Sequence, residues 1–428
     1  MALVICRKDL FFFMKVRRPS FFLYLIAYIL IYPMLKILFR FEVNRDNFDL
    51  PKGPCLFLAN HLSLYDFLFV MLPMFPKRRI NAVTAQKFFF TKPLHKILPK
   101  MGCIPKNMFD PDVRSIVGIK TVLKRGGSVL LFPEVRCSNS MAYSGMHRST
   151  GKLVEKLGVP VVSCFIEGGE ICAPHWRKWF RFGKVRITYR NLFSESDLSS
   201  LDAQEISSAI DARLSGSDGA MPSRKPLQTV YARKLAEGLS RILFYCPGCE
   251  SEFTLVTAKN TISCSSCGFS ATMDRQGLLT PSDGSLDREH TSIWFGKQAQ
   301  FVARSLSENM VPIVDNVKVS TPSPKPGGGM VVSGMGVMTI DRNGWCFKGI
   351  MHGEDTTLFF PVDSVPAISY DHQKNYQIFS NGDYFTFTPS DLRMCIKYVV
   401  LAECLHWKFA SEPRLTAGIN SGFANLNA

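Results

Sequence analysis

Residues 54–66 read Pro54-Cys55-Leu56-Phe57-Leu58-Ala59-Asn60-His61-Leu62-Ser63-Leu64-Tyr65-Asp66. A short apolar run ends in a polar break, and a second apolar run, Phe67–Leu72, follows it. That order predicts strand, loop, helix. A similar unit recurs at Ser128–Phe132 and at Val159–Val162, and between them Arg114–Arg125 carries Ile116, Ile119, Val122 and Leu123 at helical spacing. Strands alternating with helices predict an α/β domain with a largely buried sheet. It is expected to end near Leu214, where SGSDGAMPS (215–223) reads as a linker.

The polar break carries the chemistry. His61 falls at the end of the strand, and Asp66 stands five positions later at the start of the helix. A neutral imidazole can accept a proton from an alcohol, and a neighbouring carboxylate can fix its tautomer and stabilise the imidazolium. The bland alternative is a surface histidine beside an N-capping aspartate. Phe132-Pro133-Glu134-Val135-Arg136 follows another buried strand. There Glu134 and Arg136 can both face a cleft, with the guanidinium matching a phosphate; a structural ion pair is the competing reading.

Charge and hydropathy narrow the partners. Residues 1–200 hold 31 Lys+Arg against 13 Asp+Glu, a net +18, while residues 201–428 hold 20 against 22, a net −2. A basic N-terminal half suits nucleic acid, anionic lipid or a phosphorylated substrate. From Pro19 to Leu35 the chain runs 17 residues without a charge, with Lys15, Arg17 and Arg18 before it and Lys36 and Arg40 after it. We read this as a retained anchor in or across the bilayer, its basic flank facing anionic headgroups on the cytoplasmic side. A signal peptide lacks its small-residue cleavage site here, and a buried core helix is the other alternative.

Taken in order, four segments resemble the glycerolipid acyltransferase family, specifically the bacterial-type 1-acylglycerol-3-phosphate acyltransferases. The first block, N-H-x-S-x-x-D, is matched by Asn60, His61, Ser63 and Asp66; the second, in part, by Gly102-Cys103-Ile104-Pro105. The third, Phe-Pro-Glu-Gly-x-Arg-Ser in the family, reads Phe132-Pro133-Glu134-Val135-Arg136-Cys137-Ser138, and the fourth is Val159-Pro160-Val161-Val162. Two departures stand out. Val135 replaces a glycine, which a valine cannot readily imitate where φ is positive. The arginine of the third block sits one place closer to Glu134, and that of the second block is absent, with Lys106 the nearest cation.

The resemblance implies that His61 is the general base for the sn-2 hydroxyl of a lysophospholipid, oriented by Asp66, and that the hydroxyl attacks an acyl thioester directly. It implies that Glu134, Arg136 and Lys106 hold the glycerol phosphate, with Ser63, Gly102, Ile104 and Pro160 shaping the acceptor site. The donor is acyl-CoA or acyl carrier protein, which places the active site on the cytoplasmic face of a membrane. The product is phosphatidic acid, or another phospholipid if the headgroup differs.

Farther on, Cys246-Pro247-Gly248-Cys249 and Cys264-Ser265-Ser266-Cys267 are two C-x2-C knuckles with fourteen residues between them. That spacing predicts a structural zinc ribbon with Cys246, Cys249, Cys264 and Cys267 as ligands; a rubredoxin-like iron site or two disulfides are less consistent. The chain holds 13 cysteines, an odd number, and the others are not paired in spacing, so a disulfide framework is not expected. A helix is expected from Leu227 to Leu243 before the ribbon, with strands at Phe253–Val256 and Thr261–Ser263.

Thr321–Gly329 (TPSPKPGGG) reads as a linker or loop. Asn343-Gly344 and Asn381-Gly382, each between aromatic and β-branched runs, predict two hairpins, and a helix is expected over Ser390–Phe409. The predicted architecture is an α/β acyltransferase domain (46–215) behind an N-terminal membrane helix (1–45). A helix and zinc ribbon (226–282) follow, then a small antiparallel β domain with a C-terminal helix (285–428, pleckstrin-homology-like).

Three function classes follow: an acyltransferase, a non-catalytic membrane adaptor on the same scaffold, and a nucleic-acid binder prompted by the ribbon. The positive charge lies with the acyltransferase blocks and not with the ribbon, so nucleic acid is not an expected partner; membrane lipid, lysophospholipid and acyl carrier protein are. His147, His175 and His352 lack metal-ligand spacing. The aromatic and basic cluster Trp176–Arg181 suits a membrane interface or a solvated face with buried rings. Phe88–Phe90 suit an acyl tunnel or the core.

Overall fold

The computed structural model describes residues 16–109, 112–147, 149–177, 179–217, 230–282, 284, 288–306, 310–380 and 382–411. Seven strands form the first sheet: β1 (Glu42–Asn44), β2 (Cys55–Ala59), β3 (Ile80–Ala85), β4 (Ile104–Lys106), β5 (Ser128–Leu131), β6 (Val161–Glu167) and β7 (Arg186–Phe193). They lie in the order β1-β7-β6-β2-β5-β3-β4. Every neighbouring pair is parallel except β6–β7. All residues of β2 and β5 are buried, as a sheet covered on both faces requires.

The register explains where the motifs meet. Leu58 of β2 pairs with Leu131 of β5 in a parallel ladder. His61 and Glu134 each stand three residues beyond that pair, so the two loops leave the same carboxyl edge side by side. Open α/β sheets build their sites at that edge.

The expected apolar segment is the helix Phe21–Leu38, with Ser20 as its N-cap. Among the described residues it is the one helix long and apolar enough to cross a membrane. Only Tyr24 and Leu35 are buried in it, whereas Phe22, Ile26, Ile29, Leu30 and Ile37 are exposed, so it is not a core helix. Tyr24 fastens it to the sheet, its hydroxyl donating to the Ile80 carbonyl at 2.7 Å and accepting from the Ile80 N–H at 2.9 Å. Lys15 of the expected basic flank lies outside the described residues.

The α/β unit closes with the helix Ala203–Ser215, ended by Gly216 at φ +77. Most of the expected linker after it, and the start of the helix expected from Leu227, lie outside the described residues. From residue 230 that helix does not form; a single 3-10 turn, Leu239–Arg241, stands in its place. The backbone donors go elsewhere: Leu235 N–H to the Asn260 side chain and Ala236 N–H to the Lys259 carbonyl. Gly238, at φ +86, lies against Trp176. Tertiary packing overrides an apolar spacing that suits a helix.

A second, antiparallel sheet follows: β8 (Leu255–Ala258), β9 (Thr261–Cys264), β10 (Ser270–Met273), β11 (Leu278–Pro281) and β12 (Glu289–His290), in sequential order. The helix Thr291–Ser305 leads on to a third sheet of β13 (Ile313–Pro322), β14 (Met330–Asp341), β15 (Gly344–Met351), β16 (Glu354–Pro361), β17 (Ser369–Asp371), β18 (Asn375–Ser380) and β19 (Asp383–Pro389). It is antiparallel throughout, in the order β16-β15-β14-β13-β19-β18-β17. The expected loop is shorter than Thr321–Gly329: Ser323–Gly329 joins β13 to β14, while Thr321 and Pro322 end β13, paired with Val331 and Met330. The first hairpin closes at Asp341↔Gly344 and the second at Ser380↔Asp383; Asn381 lies outside the described residues. The helix Met394–Phe409 covers this sheet.

One buried apolar cluster runs through all three sheets. It joins Phe57 and Trp176 to Leu239 and Cys246, and these to Trp345 and Val399.

Candidate active site

His61 and Asp66 are in contact. The Asp66 carboxylate is fully buried, and its Oδ2 accepts from His61 Nδ1 at 3.0 Å and from the backbone N–H groups of Leu62 and Ser63 at 2.6 and 2.8 Å. One oxygen thus fixes both the imidazole and the loop that carries it. In the neutral ring, with Nδ1–H donated to Asp66, Nε2 is left as the acceptor, the tautomer a general base needs. Burial raises the Asp66 carboxyl, and hydrogen bonding to His61 opposes the rise. For His61 burial acts downward, but the Cys137 sulfur and the Asp66 carboxylate outweigh it and hold the imidazole well above its ordinary value. Phe132 stacks on the ring, with centroids 4.2 Å apart.

Glu134 does not face the cleft as the sequence suggests. It is buried, its Oε1 accepting from the His61 backbone N–H at 2.5 Å and its Oε2 from the Ser144 N–H and hydroxyl at 2.8 and 2.6 Å. Burial pushes its carboxyl up to about 7. It ties the β2 loop to the β5 loop and positions His61.

Val135 keeps the turn that the glycine would make. Its φ is +68, the left-handed region that a β-branched residue avoids. Its side chain packs beside Phe90, Met108, Phe379 and Tyr384, the last two from the third sheet. Arg136 is drawn the same way. Its guanidinium is paired with the buried Glu403 carboxylate of the C-terminal helix, and Nη1 donates to the Ile368 carbonyl at 3.4 Å. Three further contacts join the same faces: Tyr370 hydroxyl to Asn139 Oδ1 at 2.9 Å, Lys87 to Asp371 at 3.0 Å, and His175 to His372.

A cleft of ≈ 2620 Å³ opens between these elements. Leu23, Ile26 and Leu30 of the N-terminal helix, with Phe88 and Ile97, give it an apolar lining. His61, Arg136 and Cys137 line it too, with Lys87, Lys106 and Lys374 among its cations. An apolar wall with a few convergent polar groups is the usual form of a small-molecule site.

The remaining site candidates lie apart from this cleft. Ser63 is buried and its hydroxyl accepts from the Tyr65 N–H at 3.1 Å, a loop contact. Gly102, at φ +69, abuts Asn81 and the Arg17 carbonyl, where a Cβ would fall 2.4 Å from Asn81 Nδ2. Ile104 is packed in a core cluster. Pro160 accepts from the Leu56 N–H at 2.9 Å, at the opposite end of β2 from His61. These four shape the scaffold; of residues 102–106 it is Cys103 and Lys106 that line the cleft. In the aromatic and basic cluster, Trp176 and Arg181 are buried and Trp179 is exposed; Lys178 lies outside the described residues.

Cys137, His175, His372 and Glu403 line or tie this site and were not singled out by sequence. For Cys137 there was a signal: it stands where the family's arginine would fall.

Away from the cleft, Cys246, Cys249, Cys264 and Cys267 bring their sulfurs within 4.8 Å of one another. Cys246–Cys267 and Cys249–Cys264 are each 3.7 Å apart, far beyond a disulfide bond of ~2.05 Å. A tetrahedral ion with Zn–S bonds of ~2.3 Å sets its sulfurs about 3.8 Å apart, so the cluster fits a four-thiolate metal site.

Comparison with known proteins agrees with the motif reading. Residues 40–167 match the model of the acyltransferase family. These residues form an acyltransferase-family domain. The chain is also 26% identical, over 164 residues, to the chloroplastic 1-acyl-sn-glycerol-3-phosphate acyltransferase of Brassica napus. That match takes in 38% of this chain and 46% of the relative, so the chain spans about half the length of the curated relative it matches. The crystal structure of the 1-acyl-sn-glycerophosphate acyltransferase of Thermotoga maritima superposes with a TM-score of 0.40 at 17% identity, covering 48% of this chain and 81% of that one. Within the acyltransferase-family domain lie His61, Asp66, Glu134, Arg136 and Cys137.

Proposed function

We propose that the protein transfers an acyl chain from a thioester donor, acyl-CoA or acyl carrier protein, to the sn-2 hydroxyl of a lysophospholipid. The acceptor that best suits the cations of the cleft is 1-acylglycerol 3-phosphate, giving phosphatidic acid. The observation that carries this reading is the His61–Asp66 pair set in a cleft with an apolar lining. Asp66 holds the imidazole with Nε2 as acceptor; His61 takes the proton from the attacking hydroxyl; Glu134 keeps the loop in place. The apolar lining takes the acyl chain, and Lys106 and Lys87 face the headgroup. The N-terminal helix seats the enzyme on a membrane, with its active site on the cytoplasmic face. The cysteine cluster holds zinc in a structural role: four thiolates close the shell and leave no open position. On this reading the chain divides into a membrane helix, an acyltransferase domain that takes in β1 (Glu42–Asn44) and so starts before the expected 46, a ribbon module that runs through β12 (Glu289–His290) and so past the expected 282, and a β domain after it whose strands and closing helix suit a pleckstrin-homology-like unit.

One observation favours a second reading. Arg136, the expected phosphate ligand, is paired with Glu403, as it would be in a non-catalytic adaptor or in an enzyme for another headgroup. Acyl transfer by the purified full chain in detergent, across a panel of lysophospholipids, tests both. Transfer that falls by about 10³-fold or more in His61→Ala and Asp66→Asn supports the enzyme; transfer to another headgroup moves the acceptor; no transfer from either donor leaves the adaptor.

A further inference from the structure

Cys137 stands beside the imidazole that the proposed reaction uses. Its Sγ lies 3.3 Å from His61 Nε2 and 3.4 Å from Nδ1, while Nδ1 is 3.0 Å from Asp66 Oδ2. Sulfur, imidazole and carboxylate thus form a Cys-His-Asp constellation, the arrangement in which a base activates a thiol and a third group orients the base. The nearly equal sulfur–nitrogen distances set the sulfur against the ring and not in line with Nε2. Resting sites commonly have such geometry, and their hydrogen bonds tighten when substrate binds.

Two further observations point to chemistry at this sulfur. Cys137 is only partly buried and lines the same cleft as His61. Its sulfur also stands 3.3 Å from Nε2, beside the nitrogen that takes the proton in the proposed transfer. With a one-residue shift of the arginine, the chain has placed a nucleophile where the resemblance leads one to expect a phosphate ligand.

We propose that Cys137 is a nucleophile of this site and carries the acyl chain as a thioester between donor and acceptor. The inference rests on the acyl-transfer reading above. In the first half-reaction the Sγ–H proton passes to His61, the Sγ–C bond forms, and the donor's C–S bond breaks. His61 then returns the proton to the leaving thiolate, which departs as the free thiol. In the second half His61 takes the proton of the lysophospholipid hydroxyl, the O–C bond forms, the Sγ–C bond breaks, and the proton returns to Sγ. The first step exchanges one thioester for another and is therefore readily reversed; ester formation draws the cycle forward.

The test incubates the full, metal-loaded chain in detergent with palmitoyl-CoA alone, then with lysophospholipid. Intact mass should rise by one palmitoyl group, hydroxylamine should remove it, and peptide mapping should place it on Cys137. Labelled CoA should exchange into palmitoyl-CoA without acceptor. Cys137→Ala should lose both adduct and exchange, and Cys137→Ser, which keeps the shape, should lose the hydroxylamine-sensitive adduct. If wild type transfers acyl chains while Cys137→Ala keeps its rate and no adduct forms, the inference fails and the acyltransferase reading stands. An adduct on Cys137 with no transfer to any lysophospholipid upholds the nucleophile and removes the acceptor assignment. Neither adduct nor transfer overturns both.

Discussion

The Arg136 guanidinium is paired with the Glu403 carboxylate, 267 residues farther along the chain, and both side chains are withdrawn from solvent. The arginine of the β5 loop is therefore neutralised by the last helix of the described chain. Removing one partner leaves the other buried and unpaired.

Glu403→Ala and Arg136→Ala are each expected to destabilise the fold by about 3–5 kcal/mol. The double substitution should cost less than the sum, because it leaves no orphan charge. Denaturant unfolding of the four proteins in a double-mutant cycle measures the coupling. Additive losses would mean that the pair is not formed.

At Val135 strain and packing oppose each other. A β-branched residue at positive φ costs on the order of 1–3 kcal/mol, and loss of its packing against Phe90, Phe379 and Tyr384 with the added chain freedom of glycine costs a similar amount. Val135→Gly should therefore change stability by less than about 1 kcal/mol. A loss above about 3 kcal/mol in chemical denaturation would show that packing governs the site.

Acid should loosen the joint at His175. Burial, first, pushes this imidazole down to about 4; the Ser138 carbonyl opposes, and the charges of His61, Arg136 and Lys87 push the same way. A base whose folded value lies below its ordinary 6.5 contributes stability above that pH and loses it as pH falls toward 4. The slope of melting temperature against pH over this window should flatten in His175→Gln. An unchanged slope would assign the acid sensitivity to other groups.

For the cysteine cluster the expected content is about one zinc per chain, read by elemental analysis and lost in Cys246→Ser. Chelation should lower the melting temperature, because the ribbon shares its buried cluster with the other sheets. A chain that purifies without metal and melts unchanged in chelator would remove the metal site.

How much of this was legible in the sequence varies by kind of signal. The buried runs of β2 and β5 are continuous and apolar, and the motif that follows each run showed where the loops would meet. The cysteine knuckles and the Asn-Gly turn at Asn343 also carry local spacing that survives folding. The edge strands β1, β4 and β12 did not show; two or three residues are too few for a period. The helix expected from Leu227 failed because its backbone donors are taken by residues of the ribbon, a contact no local pattern records. Glu134 was read as facing substrate because strand-end position is visible and side-chain direction is not. His175 and His372 lie 197 residues apart and meet only through the docking of two sheets.

The pairing of Arg136 with Glu403 also sets an order of assembly. During synthesis the apolar helix and the acyltransferase-family domain leave the ribosome well before Glu403, which lies in the helix Met394–Phe409. Until it arrives, Arg136 has no carboxylate, Val135 lacks Phe379 and Tyr384, and the cleft is open on that side. A nascent chain halted before the helix Met394–Phe409 thus carries His61 and Asp66 but not the wall that encloses them, so emergence of that helix is itself the step that finishes the cleft.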